Sequence, residues 1–369
     1  MKKIFSALLL SLLSFATSFS QKVNVGDLWY SLDNENMTAE VKMSFNYWNQ
    51  ENENYSYIQG DVVIPSTITY DDASYTVTGI GGSAFCNAKG IKSVSLPSTI
   101  KYIDFLAFEK CGLKTVYIPS SVDSIATTAF YHCDSLGNVY IENLKSWCEI
   151  VFFPSYVEPD ADPMFQFYNP LQYASNLYVD GVKTTDLYFP DSIKSIKNNA
   201  FVNFRGLHSI SIASEKMQIG KNAFYGCRNL ESVIFPEHIS KISDKAFFGC
   251  TSLATVDIPI VDGEYEMELF SGCSNLRDVK IPGEVSKLGV GMFQNCSNLE
   301  EIVLPCSLTL IGSRSFMGCS SLKSITFPDR LQTIGALAFS GCVSLENMYH
   351  GDGDFDTFSL TDSSSSSSV

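Results

Sequence analysis

Eight cysteines recur at one place in a repeated pattern. Thiols so placed could act as disulfide partners, metal ligands or nucleophiles. Cys111, Cys133, Cys227, Cys250, Cys273, Cys296, Cys319 and Cys342 each stand three residues after a phenylalanine. A cysteine set in a secreted chain reads first as a disulfide framework. Register argues for another outcome. Equivalent side chains of stacked strands lie roughly 5 Å apart and point the same way, and a buried free thiol packs as a small hydrophobe. The expectation is a mostly reduced, buried ladder. Cys86, Cys148 and Cys306 fall outside the slot and are the better candidates for reactivity.

Other chemistry finds little support. The four histidines, His132, His208, His238 and His350, are widely spaced, and no C-x-x-C or H-x-x-x-H pair offers a zinc site. No G-x-S-x-G, H-E-x-x-H or phosphate-binding glycine loop is present. Scattered carboxylates define no glycosidase pair. Asp352, Asp354 and Asp356 alternate like part of a Ca²⁺ loop, but no acidic residue closes it at the twelfth position, so a solvated tail is expected. No enzyme activity, cofactor or metal is expected.

The element that carries the thiols is a 23-residue unit. Phe201, Phe224, Phe247, Phe270, Phe293, Phe316 and Phe339 are 23 residues apart, and Phe85, Phe108 and Phe130 nearly keep the step. Self-similarity at such a period means stacked supersecondary units, a solenoid. In Leu299-Glu300-Glu301-Ile302-Val303-Leu304-Pro305, Ile302 and Leu304 alternate with outward residues, a strand that proline ends. Apolar residues return three and six positions after the proline, as at Ile239 and Ile242. A small residue, the Phe and the Cys then close a tight corner. Each unit is a strand, a sharp turn, a second short extended piece and a corner of turns or one helical turn.

The outward residues of the strands form columns that suit recognition, because hydroxyls and phenols adapt to partners at low entropy cost. One column runs through Ser95, Tyr117, Tyr140, Ser211, Ile234, Asp257, Lys280, Val303, Thr326 and Tyr349. Tyr117, Tyr140, Asp257, Lys280, Thr326 and Tyr349 are the candidate ligand-binding residues. Strand surfaces favour Thr and Tyr on packing grounds alone, so the column could equally be structural.

The remaining segments are less regular. Residues 1–20 read as a signal peptide, with Lys2 and Lys3, an apolar run and Ser18-Phe19-Ser20 as a small-x-small cleavage site. Residues 21–61 lack the repeat, and their aromatic residues suit a β-rich N-terminal cap or a binding module. Repeats are expected over 62–134 and 187–346. Between them, 135–186 reads as an irregular insert of degenerate repeats, with a hairpin turn at Asp180-Gly181. Another hairpin turn is expected near Asp71-Asp72. Residues 347–369, which end in Ser363 to Ser368, read as a disordered, Ser-rich low-complexity tail. The net charge of −15 disfavours nucleic acid and anionic lipid. No later stretch is long enough to span a membrane, and a monomer is expected.

The L-x-x-[VI]-x-[ILF]-P strand, the following I-x-x-I and the A-F-x-x-C corner resemble the BspA-like leucine-rich-repeat surface proteins. The resemblance covers roughly 62–134 and 187–346. Lys216 and Asp262 in an apolar slot, Ala213 in place of a proline, and Phe204 and Ala88 in place of cysteines depart from it. It implies a leucine-rich-repeat solenoid and a secreted or cell-surface, adhesin-like protein that binds a host extracellular or matrix protein through its sheet face. The alternative is a glycan-binding accessory protein using exposed aromatics of the cap or the insert.

Overall fold

The computed structural model of the chain describes residues 21–43, 58–154, 169–350 and 353–354. Residues 1–20, read above as a signal peptide, Phe45, Tyr47, Trp48, Tyr55 and Tyr57 of the expected cap, Asp352, Asp356 and the run Ser363 to Ser368 lie outside the described residues.

The repeat coils into a β-solenoid with two parallel ladders. The strand that ends at proline builds the first, which we call the sheet face. Gly60–Val63, Ile91–Ser95, Thr115–Ile118, Asn138–Ile141 and Asn176–Val179 pair side by side. Asp186–Phe189, Ser209–Ile212 and Ser232–Ile234 form the next run, followed by Thr255–Asp257 with Asp278–Lys280 and by Ser324–Phe327 with Asn347–His350. The post-proline segment builds the second ladder, for example Tyr102–Ile103, Ser124–Ala126 and Val151–Phe153. Its strands are short because the next corner begins within a few residues.

The corners explain the A-F-x-x-C motif. The backbone adopts positive φ two residues before and two residues after the Phe, at Lys245 (56°) and Gly249 (69°) around Phe247, for instance. Two tight turns therefore follow one another, and the Phe between them points inward. The rings stack coil upon coil, from Phe85 to Phe130 and from Phe201 to Phe339, with centroids 5.0–6.1 Å apart. Each buried ring contributes roughly 1.5–3 kcal/mol, which one isolated coil cannot collect.

All eleven cysteines are free. From Cys133 on, each slot thiol donates to the carbonyl of the Phe one coil back. Cys250 Sγ lies 3.3 Å from the Phe224 oxygen and Cys273 Sγ 3.3 Å from that of Phe247. The slot thus satisfies a buried acceptor as well as filling space. Cys148 lies outside the slot yet is fully buried, so the reactivity expected of it is corrected. It sits on Leu144–Glu149, the one α-helix among the described residues, beside Trp147. Cys306 is exposed and Cys86 half-buried.

The helix begins where Asn143 Oδ1 accepts the Ser146 N–H at 2.8 Å. It carries Trp147 into the core, where the indole N–H donates to the Ala200 carbonyl at 3.0 Å. Trp147, which lies within the 71-residue gap between Phe130 and Phe201, thereby ties the helix to the Phe201 corner that follows the gap.

At the N-terminal end, Gln21–Val25, Leu28–Asp33 and Thr38–Lys42 form an antiparallel meander. Its last strand joins the second ladder alongside Ala73–Ile80. The buried Glu40 accepts from Tyr102 at 2.9 Å and pairs with Lys42 at 2.6 Å, which ties the meander to the coils. Asp71 and Asp72, both at positive φ, turn Thr67–Tyr70 back onto Ala73–Ile80 as the sequence predicts. No helix among the described residues is long and apolar enough to cross a membrane.

Candidate functional site

Strand alternation turns Val116, Val139 and Leu177 into the core and leaves Tyr117, Tyr140 and Tyr178 outward in register. The phenols form a continuous stack. Tyr117 and Tyr140 have centroids 4.6 Å apart at 24°, and Tyr140 and Tyr178 4.2 Å apart at 7°. Partial desolvation and the adjacent Tyr178 and Tyr117 phenols hold Tyr140 above its ordinary ionisation range.

A second row runs beside the first. The Asn176 amide donates to Asn138 Oδ1 at 2.9 Å, and the Asn138 amide to Thr115 Oγ1 at 3.4 Å. Ser93 donates to Asp61 at 2.6 Å in the same column. Across the first break, Ser209 donates to Asp186 at 2.5 Å, and that hydroxyl with Thr185 holds the carboxyl below its usual range. Phenols and amides thus lie in two parallel rows on a backbone fixed by ladder bonds, with little side-chain freedom left to lose on contact.

The six candidate residues do not form one site. Tyr117 and Tyr140 come together in the stack. Asp257 and Lys280 lie opposite each other and form an ion pair at 3.1 Å, so each largely cancels the other. Thr326 and Tyr349 are in register in the last run, remote from the stack. Tyr178, and Tyr188 at 60% exposed, belong to the same column but were not read from the sequence. The signal was there: Leu177-Tyr178-Val179 repeats the frame of Val139-Tyr140-Ile141. The predicted Asp180-Gly181 turn follows it, both residues at positive φ, and returns the chain as Val182–Thr184. Among the described residues no group of three metal-ligating side chains converges.

The model of the BspA-type leucine-rich repeat region matches in six copies, over residues 65–158, 174–300 and 266–359. No curated protein matches the chain. Several solved structures are similar. A leucine-rich repeat protein from Bacteroides ovatus is 26% identical, with 88% of this chain and 94% of that one covered and a TM-score of 0.43. A leucine-rich cell surface protein from Faecalibacterium prausnitzii is 20% identical, with 92% and 97% covered and a TM-score of 0.43. A leucine-rich repeat protein from Eubacterium ventriosum is 19% identical, with 88% and 94% covered and a TM-score of 0.49.

Proposed function

The chain belongs to the BspA-type leucine-rich repeat family, and on that premise we propose that it is a non-enzymatic, adhesin-like protein of the cell surface or extracellular space that captures a protein partner on its sheet face. Membership of that family supports a repeat-based binding protein. The observation that carries the finer reading is the stack of Tyr117, Tyr140 and Tyr178 beside the Thr115, Asn138 and Asn176 row. Rigid phenols with adaptable polar neighbours are the composition that protein-recognising surfaces favour. Within the stack the rings cover one another's faces and offer edges and hydroxyls instead. A sugar ring that stacks on an aromatic needs an open face, so this surface fits a protein better than a glycan. In this reading residues 1–20 direct export, 21–61 cap the coils, 62–134 and 187–346 supply the repeats and 135–186 is the irregular insert; the tail expected from 347 starts later, because Asn347–His350 is a sheet-face strand paired with Ser324–Phe327. The partner is a host extracellular or matrix protein.

The test is capture of the purified protein by immobilised matrix proteins, run beside a glycan array. Replacing Tyr117, Tyr140 and Tyr178 together by alanine is expected to weaken protein capture by about tenfold or more, as truncating buried interface aromatics does, with the circular dichroism unchanged. Strong glycan binding with no protein capture would replace this reading with the glycan one.

A further inference from the structure

A break in the sheet-face ladder falls beside the tyrosine stack. Val182–Thr184 ends one run of hydrogen-bonded strands and Asp186–Phe189 begins the next. Only Thr185 separates the two in sequence. They therefore meet at that end, where Thr184 Oγ1 donates to the Asp186 carbonyl at 2.7 Å. The two strands share no ladder pairing, and a cavity of about 480 Å³ opens where they part. Each strand is the last of its run, so each presents an unpaired edge to this notch.

The notch is mostly apolar and, among the described residues, one cation lines it. Val179, Val182, Leu187 and Tyr188 line it, and Lys145 reaches it from the short helix. Val182 is 68% exposed although it stands opposite Val179, on the side of the hairpin that carries the buried Leu177. An aliphatic side chain on the inner side of a solenoid is ordinarily covered by the next coil. Here the parting of the strands leaves it bare. Asp186, at the closed end, already accepts from the Ser209 and Thr185 hydroxyls. No carboxylate among the described residues lies within ion-pair distance of Lys145. The notch therefore asks for an apolar group and a negative charge together.

The geometry points to an extended segment of the protein partner as the occupant. It lays an aliphatic or aromatic side chain against Val179, Val182 and Leu187, sets a neighbouring Asp or Glu on Lys145, and runs along the unpaired strand edges. Main-chain bonds to an open edge supply affinity in this mode, and the pocket beside it supplies selectivity. The inference rests on the protein-binding reading above and adds the form and charge of the element recognised.

The probe is a library of random twelve-residue peptides displayed on phage and panned against the whole protein. Peptides that share an acidic residue next to an aliphatic or aromatic one are the expected enrichment. Their affinity, read by fluorescence anisotropy, is expected to fall by about tenfold or more in Lys145→Glu and in Val182→Asp. Exchanging the acidic peptide residue for lysine should restore binding to Lys145→Glu, a rescue that a misfolded variant cannot give. Lys89→Glu, remote from the notch, serves as the charge control. Enriched peptides without an acidic residue, or with affinities indifferent to Lys145 and Val182, overturn the inference. The same variants in the matrix-protein assay separate the two readings. Capture lost with the tyrosine substitutions but unmoved by Lys145→Glu and Val182→Asp sinks the notch and leaves the sheet-face reading standing.

Discussion

At the scale of single residues, the thiols are structural groups whose chemistry is suppressed by burial. Desolvation pushes the Cys111 thiol from its ordinary 9.0 up to about 11 and that of Cys319 up to about 12. An unfolded chain ionises near pH 9 while the native one keeps these protons. Stability is therefore full below pH 9 and declines as pH rises from 9 toward 11. The urea midpoint is expected to fall across that window, and replacing Cys111 and Cys319 by serine should flatten the slope, since serine does not titrate there. An unchanged slope would remove these two thiols as its cause. Reactivity follows the same logic. In the native protein Cys306 should react first with a thiol reagent, and all eleven cysteines should react after denaturation. A count near zero in the unfolded protein would mean disulfides instead. The Asp257–Lys280 pair belongs to a weaker class. Both partners are more than 70% exposed, so Asp257→Ala should change stability by less than about 1 kcal/mol.

At the scale of elements, the corner turns carry the tightest local demand. The site two residues after each Phe holds Asn87, Lys110, His132, Asn203, Gly226, Gly249, Gly272, Asn295, Gly318 and Gly341, all at positive φ. Gly249→Val should cost about 1–2 kcal/mol, because a β-branched residue is strained there. Gly249→Asn should cost little, since asparagine already fills the equivalent site at 203 and 295. Thermal melts of the two variants check this, and equal losses would count against the turn as the cause. The corner, the proline-ended strand and both hairpin turns were legible in the sequence because each rests on local signals. Tyr178 and Tyr188 carry the column's frame in Leu177-Tyr178-Val179 and Leu187-Tyr188-Phe189-Pro190, but the frame alone does not show that Tyr178 joins the stack while Tyr188 falls across the ladder break. Cys148 misled for the opposite reason. It lies outside the Phe period, and only the helix that carries Trp147 inward shows why it is buried.

At the scale of the molecule, stability is a sum of coils and the contacts between nearest neighbours. Deleting residues 247–269, one whole period, should leave a folded protein with a smaller urea m-value, because less surface is exposed on unfolding. Deleting 247–258, half a period, should abolish cooperative unfolding, because strands would then face corners. Periodicity made the architecture readable without any long-range contact. The breaks between ladder runs were not readable, since they depend on how neighbouring coils part, which no single coil encodes. The direction of the ladder bonds has a mechanical consequence. They run coil to coil, along the length of the rod, so a pull on its two ends loads them in series. The chain should yield one coil at a time, each giving roughly 70 Å of slack. A solenoid loaded in this way sheds tension in small steps while the coils not yet opened stay folded.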